Sequence, residues 1–210
     1  MTKHDVARAL VERHGTTFAD QAGIKLKDTP APLYQLLVLS VLLSARISSD
    51  IAVAAASELF KAGYRTPQAM KDATWQQRVD ALGRGHYRRY DERTATMLGN
   101  GAELVLDRWG GDLRRLRDQA TEPARIPSLL QEVPGIGPAG ADIFCREVQA
   151  VWPVLAPYVD DRAAEGAERV GLPKTPERLA SYVSTDELPN LTAACLRAAR
   201  SRKVAEDVRG

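Results

Sequence analysis

Apolar residues recur at the three-and-four spacing of an α-helix along almost the whole chain, and they nowhere sustain the alternation of a half-buried strand. Clusters of β-branched residues are few. Residues 5–14 set Val6, Ala9 and Leu10 at helical spacing, and residues 91–109 line up Ala95, Leu98, Ala102, Val105 and Leu106 on one side. Residues 33–43 are apolar almost all round, the mark of a helix buried inside a larger domain. Proline and glycine punctuate the pattern. Pro30 and Pro32 open a helix, Gly63 and the Gly110-Gly111 pair close others, and Gly83 and Gly85 bracket a turn. Further helices are expected over 50–61, 66–70, 75–82, 113–119, 126–133, 139–150, 160–170, 175–183 and 190–204. About a dozen short helices predict an all-α protein.

With 44% hydrophobic residues a real core can form, whereas a net charge of +2 permits a nucleic-acid partner only if the positive charge is clustered. Three basic clusters exist: Arg84, His86, Arg88, Arg89 and Arg93; Arg114, Arg115 and Arg117; and Arg197, Arg200, Arg202 and Lys203. Such runs ordinarily form solvated faces. No apolar run reaches the roughly 18 residues of a membrane span, and the N-terminus is mixed and charged, so a soluble cytoplasmic protein is expected. Cys145 and Cys195 are too few for a four-cysteine zinc or iron–sulfur site and read as buried thiols. His4, His14 and His86 are too scattered for a metal site. No phosphate loop, dinucleotide fingerprint or nucleophile triad is present.

The most informative stretch runs from Leu129 to Asp142. An apolar helix ends at Val133, and Pro134 stops it. Gly135 and Gly137 give conformational freedom to the turn, and Ile136 between them can pin it to the core. Pro138 fits the first turn of the next helix, and Ala139, Gly140 and Ala141 allow close packing. The expected product is a helix start whose bare amides face outward beside a loop without side chains. Such a place suits an anion, here a DNA phosphate gripped without regard to sequence. An ordinary tight turn between two helices is the plainer reading of these residues.

Val133-Pro134-Gly135-Ile136-Gly137 resembles the helix-hairpin-helix motif of the endonuclease III superfamily of DNA glycosylases. Other segments resemble that family in the same order. Leu42-Leu43-Ser44-Ala45-Arg46 is similar to an early "LLSAQ" segment, with Arg46 where glutamine is usual. Leu82-Gly83 to Ala95 occupies the region of a "GLYNSKA" segment. Trp152-Pro153 followed by Val159-Asp160 resembles the "WP…VD" segment that carries the family's aspartate. The chain departs from the pattern at Ala139, where bifunctional members carry the lysine that forms a Schiff base with the sugar. It also lacks the C-terminal cysteine loop that holds an iron–sulfur cluster. In these respects it looks closer to the monofunctional 3-methyladenine glycosylase branch.

The resemblance implies two helical lobes around a DNA-binding cleft: a central lobe of residues 33–150 containing the hairpin, and a second of 1–32 with 151–210. It implies a hydrolase of N-glycosyl bonds in base excision repair, acting as a monomer on double-stranded DNA with a damaged, for instance alkylated, base and without lyase activity. No cofactor is expected, apart from a monovalent cation that the hairpin carbonyls could hold. Asp160 becomes the catalytic candidate, since a carboxylate can stabilise the cationic sugar and orient water; from the residues alone it reads as a helix N-cap. Gly135, Ile136, Gly137, Ala139, Arg46, Arg197 and Arg200 are the DNA-binding candidates, Arg46 as the wedge that replaces an extruded base. Tyr34, Trp152 and Tyr158, with Tyr87 and Tyr90, are candidates to wall a base pocket, although each alone reads more simply as a core residue. Two other readings stay open: a non-catalytic, structure-specific DNA-binding protein of the same fold, and a lyase that uses another amine such as Lys203 or the N-terminus.

Overall fold

The computed structural model describes residues 2–208, and these contain fourteen α-helices, three short 3-10 turns and no strand. In chain order the helices are α1 (Lys3–His14), α2 (Phe18–Gln21), α3 (Pro30–Leu43), α4 (Ser49–Lys61), α5 (Pro67–Asp72), α6 (Trp75–Arg84), α7 (Asp91–Trp109), α8 (Leu113–Gln119), α9 (Ile126–Leu130), α10 (Pro138–Val148), α11 (Asp161–Arg169), α12 (Pro176–Ala180), α13 (Leu188–Arg200) and α14 (Arg202–Asp207). The all-helical expectation is met. Among the described residues no helix is long and apolar enough to cross a membrane.

The chain divides into two compact units. The hairpin unit is Ala19–Phe144; the terminal unit joins the residues up to Phe18 to those from Cys145 onward. These boundaries differ from 32/33 and 150/151, and side-chain bonds give the reason. Residues 19–32 are tied forward, by Ser57 Oγ donating to Ala22 O at 3.3 Å and by Arg117 pairing with Asp28 at 2.9 Å. Residues 145–150 are tied to the terminal segments, by Phe18 N donating to Glu147 Oε1 at 3.1 Å and by Gln149 exchanging bonds with the Tyr158 backbone at 2.9 and 3.1 Å.

In the hairpin unit, α3 is buried along most of its length and packs against α4 and α8, as its all-round apolar surface requires. Helix α7 covers α5 and α6. The buried guanidinium of Arg78 locks these three helices by donating to Met70 O, Ala73 O and Ala95 O at 2.9, 2.6 and 2.9 Å. The Met70 and Ala73 carbonyls lie at the C-terminal end of α5, where no intrahelical donor reaches them.

The terminal unit is organised around α13, whose apolar face is buried against α1 and α11. At Gly166 a Cβ would lie 1.8 Å from the Cys195 carbonyl oxygen, so α11 and α13 meet backbone to backbone and only glycine fits there. Asn190 Nδ2 donates to Gly15 O at 2.9 Å and Arg197 Nη1 to His14 O at 2.7 Å, stitching the end of α1 to α13. The single helix expected over 190–204 is broken at Ser201, whose hydroxyl accepts the Val204 amide at 3.4 Å and starts α14.

Candidate nucleic-acid interface

Helix α9 ends at Leu130, three residues before the expected stop, and a tight turn follows, closed by Val133 N to Leu130 O (3.1 Å) and Ile136 N to Val133 O (3.0 Å). Gly135 has φ of +89°, and a Cβ there would lie 2.9 Å from Val41 Cγ1. The fold itself therefore demands glycine at this position. Gly137 differs. It is exposed, its φ lies outside the left-handed region, and a Cβ would meet nothing within 4 Å. Its lack of a side chain is not required by any internal contact, contrary to the expectation that both glycines serve the turn.

Ile136 is 5% exposed and anchors the turn, as expected. Its amide is spent on Val133 O, so Ile136 offers no donor to an outside anion. The amides of Gly137, Ala139 and Gly140 have no partner among the described residues, which follows from their place before and in the first turn of α10. Beside them Ala139 is exposed.

Arg46 lies in the loop between α3 and α4, exposed and without a carboxylate partner among the described residues. It shares a cavity of about 310 Å³ with Tyr87, Tyr90, Arg93, Met97 and Gly135, all of the hairpin unit. The buried Tyr87 hydroxyl lies 3.2 Å from Thr94 Oγ1, and burial pushes the phenol's pKa up. Arg89 stacks 5.2 Å from the Tyr90 ring centroid.

In the terminal unit Asp160 is the N-cap of α11: Oδ1 accepts the Ala163 amide at 3.2 Å. Oδ2 accepts Arg146 Nη1 at 2.6 Å, in a pair whose side chains are 6% and 8% exposed. Both oxygens are thus engaged. Arg200 is exposed at the end of α13; partial burial first, then the charges of Arg162 and Arg146, lower its pKa. Arg146 was not singled out from the sequence. Its one signal is a charge at an inward position of α10, between Cys145 and Val148, both fully buried.

Three assignments need correction. Tyr34 and Trp152 are 2% and 0% exposed, so in this structure they are core residues and not walls of an open base pocket. Burial likewise raises the pKa of the Tyr34 phenol. Arg197 is held by the His14 carbonyl and sits 5.3 Å from the Phe18 ring centroid, a structural role that leaves it poorly placed to reach a phosphate. Tyr158 is partly buried and ties its backbone to Gln149. The cluster at 114–117 is also largely neutralised, Arg114 by Asp112 and Arg117 by Asp28 and Asp118.

Among the described residues no three His, Cys, Asp or Glu side chains converge to hold a metal ion. The two cysteines present, both buried, do not supply the four thiolates an iron–sulfur cluster needs.

No protein-family model matches the sequence, and no curated protein matches it. Solved structures do resemble the fold. A trapped endonuclease III–DNA covalent intermediate, an estranged-adenine complex, superposes with a TM-score of 0.51 at 17% identity over 93% of this chain and 85% of that one. A non-covalent endonuclease III–DNA complex superposes with a TM-score of 0.51 at 18% identity over the same shares. The chain therefore has the all-helical endonuclease III fold.

Proposed function

We propose that this protein is a DNA glycosylase of base excision repair that hydrolyses the N-glycosidic bond of a damaged base and leaves the strand uncut. The observation that carries the reading is the hairpin, where the amides of exposed Gly137 and Ala139 have no partner among the described residues and open space lies above Gly137. This is a phosphate cradle on a fold shared with DNA-bound endonuclease III. The hairpin carbonyls would hold a monovalent cation if one assists phosphate binding. The partner is double-stranded DNA, the protein acts as a monomer, and its setting is cytoplasmic.

Asp160 supplies the chemistry in this proposal. As the C1′–N bond breaks, its electron pair leaves with the base and positive charge grows on the sugar. A carboxylate beside the sugar stabilises that charge; water adds to C1′, and its proton passes to the carboxylate or to solvent. With alanine at position 139 the hairpin offers no amine to form an imine, so in this reading the product is a free base and an abasic site. Alkylated purines are the favoured substrates, because a positively charged base is already a good leaving group.

One observation favours a second reading, a DNA-binding protein without catalysis. The Asp160 carboxylate is neutralised by Arg146 and capped onto α11, which weakens it as a stabiliser of positive charge. The two readings separate in an excision assay on alkylated duplex DNA without heat or alkali, with released bases identified by mass spectrometry. A free modified base, an intact strand and loss of release in Asp160→Asn support the glycosylase. Binding without release from any lesion supports the second reading, and strand cleavage with a borohydride-trapped adduct would overturn both in favour of a lyase.

A further inference from the structure

The terminal unit holds a cavity of its own, of about 420 Å³, lined by Arg169, Arg202, Ala205 and Glu206. Small-ligand sites span about 300–1,000 Å³. The break at Ser201 builds one side of it. Helix α14 starts there and is pinned by buried Ala205 and Val208, which leaves Arg202 and Glu206, four residues apart, exposed on one face. Arg169 comes from the end of α11. Its Nη1 donates to the Ala198 and Ala199 carbonyls at 3.2 and 2.6 Å, which orients the guanidinium without neutralising it. Among the described residues no carboxylate pairs with Arg169 or Arg202. Glu168, next to Arg169 in the chain, is engaged by Lys174 at 3.3 Å, and Glu206 has no cation of its own.

Two guanidinium groups with N–H forks to spare match the oxygens of a phosphate. The carboxylate in the same wall decides which kind of phosphate fits. Glu206 can only accept hydrogen bonds, so it repels a duplex backbone, which brings it acceptors and negative charge alone. A small phosphate ester with hydroxyl groups brings both halves: an anion for the arginines and a donor for the glutamate. We propose that this cavity binds a small hydroxylated phosphate monoester, a sugar phosphate, with its phosphate on Arg169 and Arg202 and a hydroxyl donating to Glu206. The site is built wholly within the terminal unit, uses neither the hairpin nor Asp160, and does not depend on the DNA-binding reading.

The probes are ribose 5-phosphate, inorganic phosphate and ribose, each titrated into the full chain by isothermal titration calorimetry. Ribose 5-phosphate is expected to bind roughly 10- to 150-fold more tightly than inorganic phosphate, the contribution of one hydrogen bond to a charged group, and ribose is expected not to bind. Arg202→Gln removes a charge-assisted bond and should weaken both phosphates by roughly the same factor while leaving the thermal unfolding curve in place. Glu206→Ala removes the acceptor and should bring the ratio between the two phosphates close to one. Equal binding of the two phosphates by the wild-type protein, binding of neither, or an Arg202→Gln protein that binds them like wild type would overturn the proposal. Weaker binding of an undamaged duplex by Arg202→Gln, with ribose 5-phosphate binding unchanged, would assign the cavity to the DNA backbone and overturn it as well.

Discussion

Replacing each hairpin glycine by alanine asks separately what the fold and what a ligand require. At Gly135 the new Cβ carries two costs. A φ of +89° costs an L-residue about 1–2 kcal/mol. Contact at 2.9 Å with Val41 Cγ1 adds overpacking of about 1–3 kcal/mol. Together, Gly135→Ala should lose roughly 2–5 kcal/mol, or about 4–20 °C in Tm for a chain of this size. At Gly137 neither cost applies, because the backbone is not left-handed and no atom lies within 4 Å of the added methyl. Gly137→Ala should gain about 0.4–1 kcal/mol by restricting the unfolded chain. The same methyl would stand in front of the Gly137 and Ala139 amides and keep a phosphate from closing on them. Loss of one charge-assisted hydrogen bond, about 1.5–3 kcal/mol, corresponds to roughly 10- to 150-fold weaker DNA binding. Urea or thermal unfolding and a fluorescence titration on an abasic-site duplex measure both quantities in the same preparations. A Gly137→Ala protein that is stable and binds DNA like wild type would refute the phosphate cradle. A Gly135→Ala protein of unchanged stability would refute the account of the turn.

Arg146→Met should cost about 3–5 kcal/mol in urea unfolding, because it leaves the Asp160 carboxylate buried without its cation, and adding Asp160→Asn should recover part of that loss; equal stability of Arg146→Met and wild type would contradict the pair. Burial pushes the Cys195 thiol up to about 12 from 9.0, so iodoacetamide at pH 9 should label it only after unfolding. The sign follows from linkage: the unfolded thiol ionises first, so this contribution is whole below pH 9.0 and shrinks as pH rises toward 12, and the loss should vanish in Cys195→Ala. The hydrogen bond from His14, then that from Arg13, holds Asp207 below its ordinary value of 3.8. Its contribution is therefore present above pH 3.8 and lost on further acidification, and Asp207→Asn should flatten that part of a pH-stability curve.

Where a residue's role depends on local pattern, the sequence was readable. The all-round apolar stretch that became α3, the Gly110-Gly111 stop after α7 and the proline-opened helices are set by neighbours within a turn or two. Asp160 as an N-cap belongs with them, since capping is a four-residue event. Roles that depend on distant partners were not readable. Nothing near Arg78 announces that it will donate to three carbonyls of different helical segments, and Arg197 looks like a surface cation until His14 O and the Phe18 ring come to it. Tyr34 and Tyr90 are both aromatic residues at helix starts, yet one is sealed by tertiary packing and the other lines a cavity.

The same distinction bears on Asp160. The resemblance assigns it a catalytic role from its position after Val159, whereas the structure adds Arg146, fourteen residues earlier on the helix launched by the hairpin. Arg146 fixes the orientation of one Asp160 oxygen while the Ala163 amide fixes the other. A carboxylate held at both oxygens is preorganised, but its charge is shared with a guanidinium. If it is the catalytic group, Arg146→Met should lower the release rate in proteins that remain folded, because one Asp160 oxygen loses the contact that orients it. If the pair is only structural, the same substitution should lower stability and leave base release unchanged at temperatures where the protein is folded. Single-turnover release at several temperatures below the variant's Tm tells the two apart, because stability loss alone changes the fraction folded and not the rate per folded molecule.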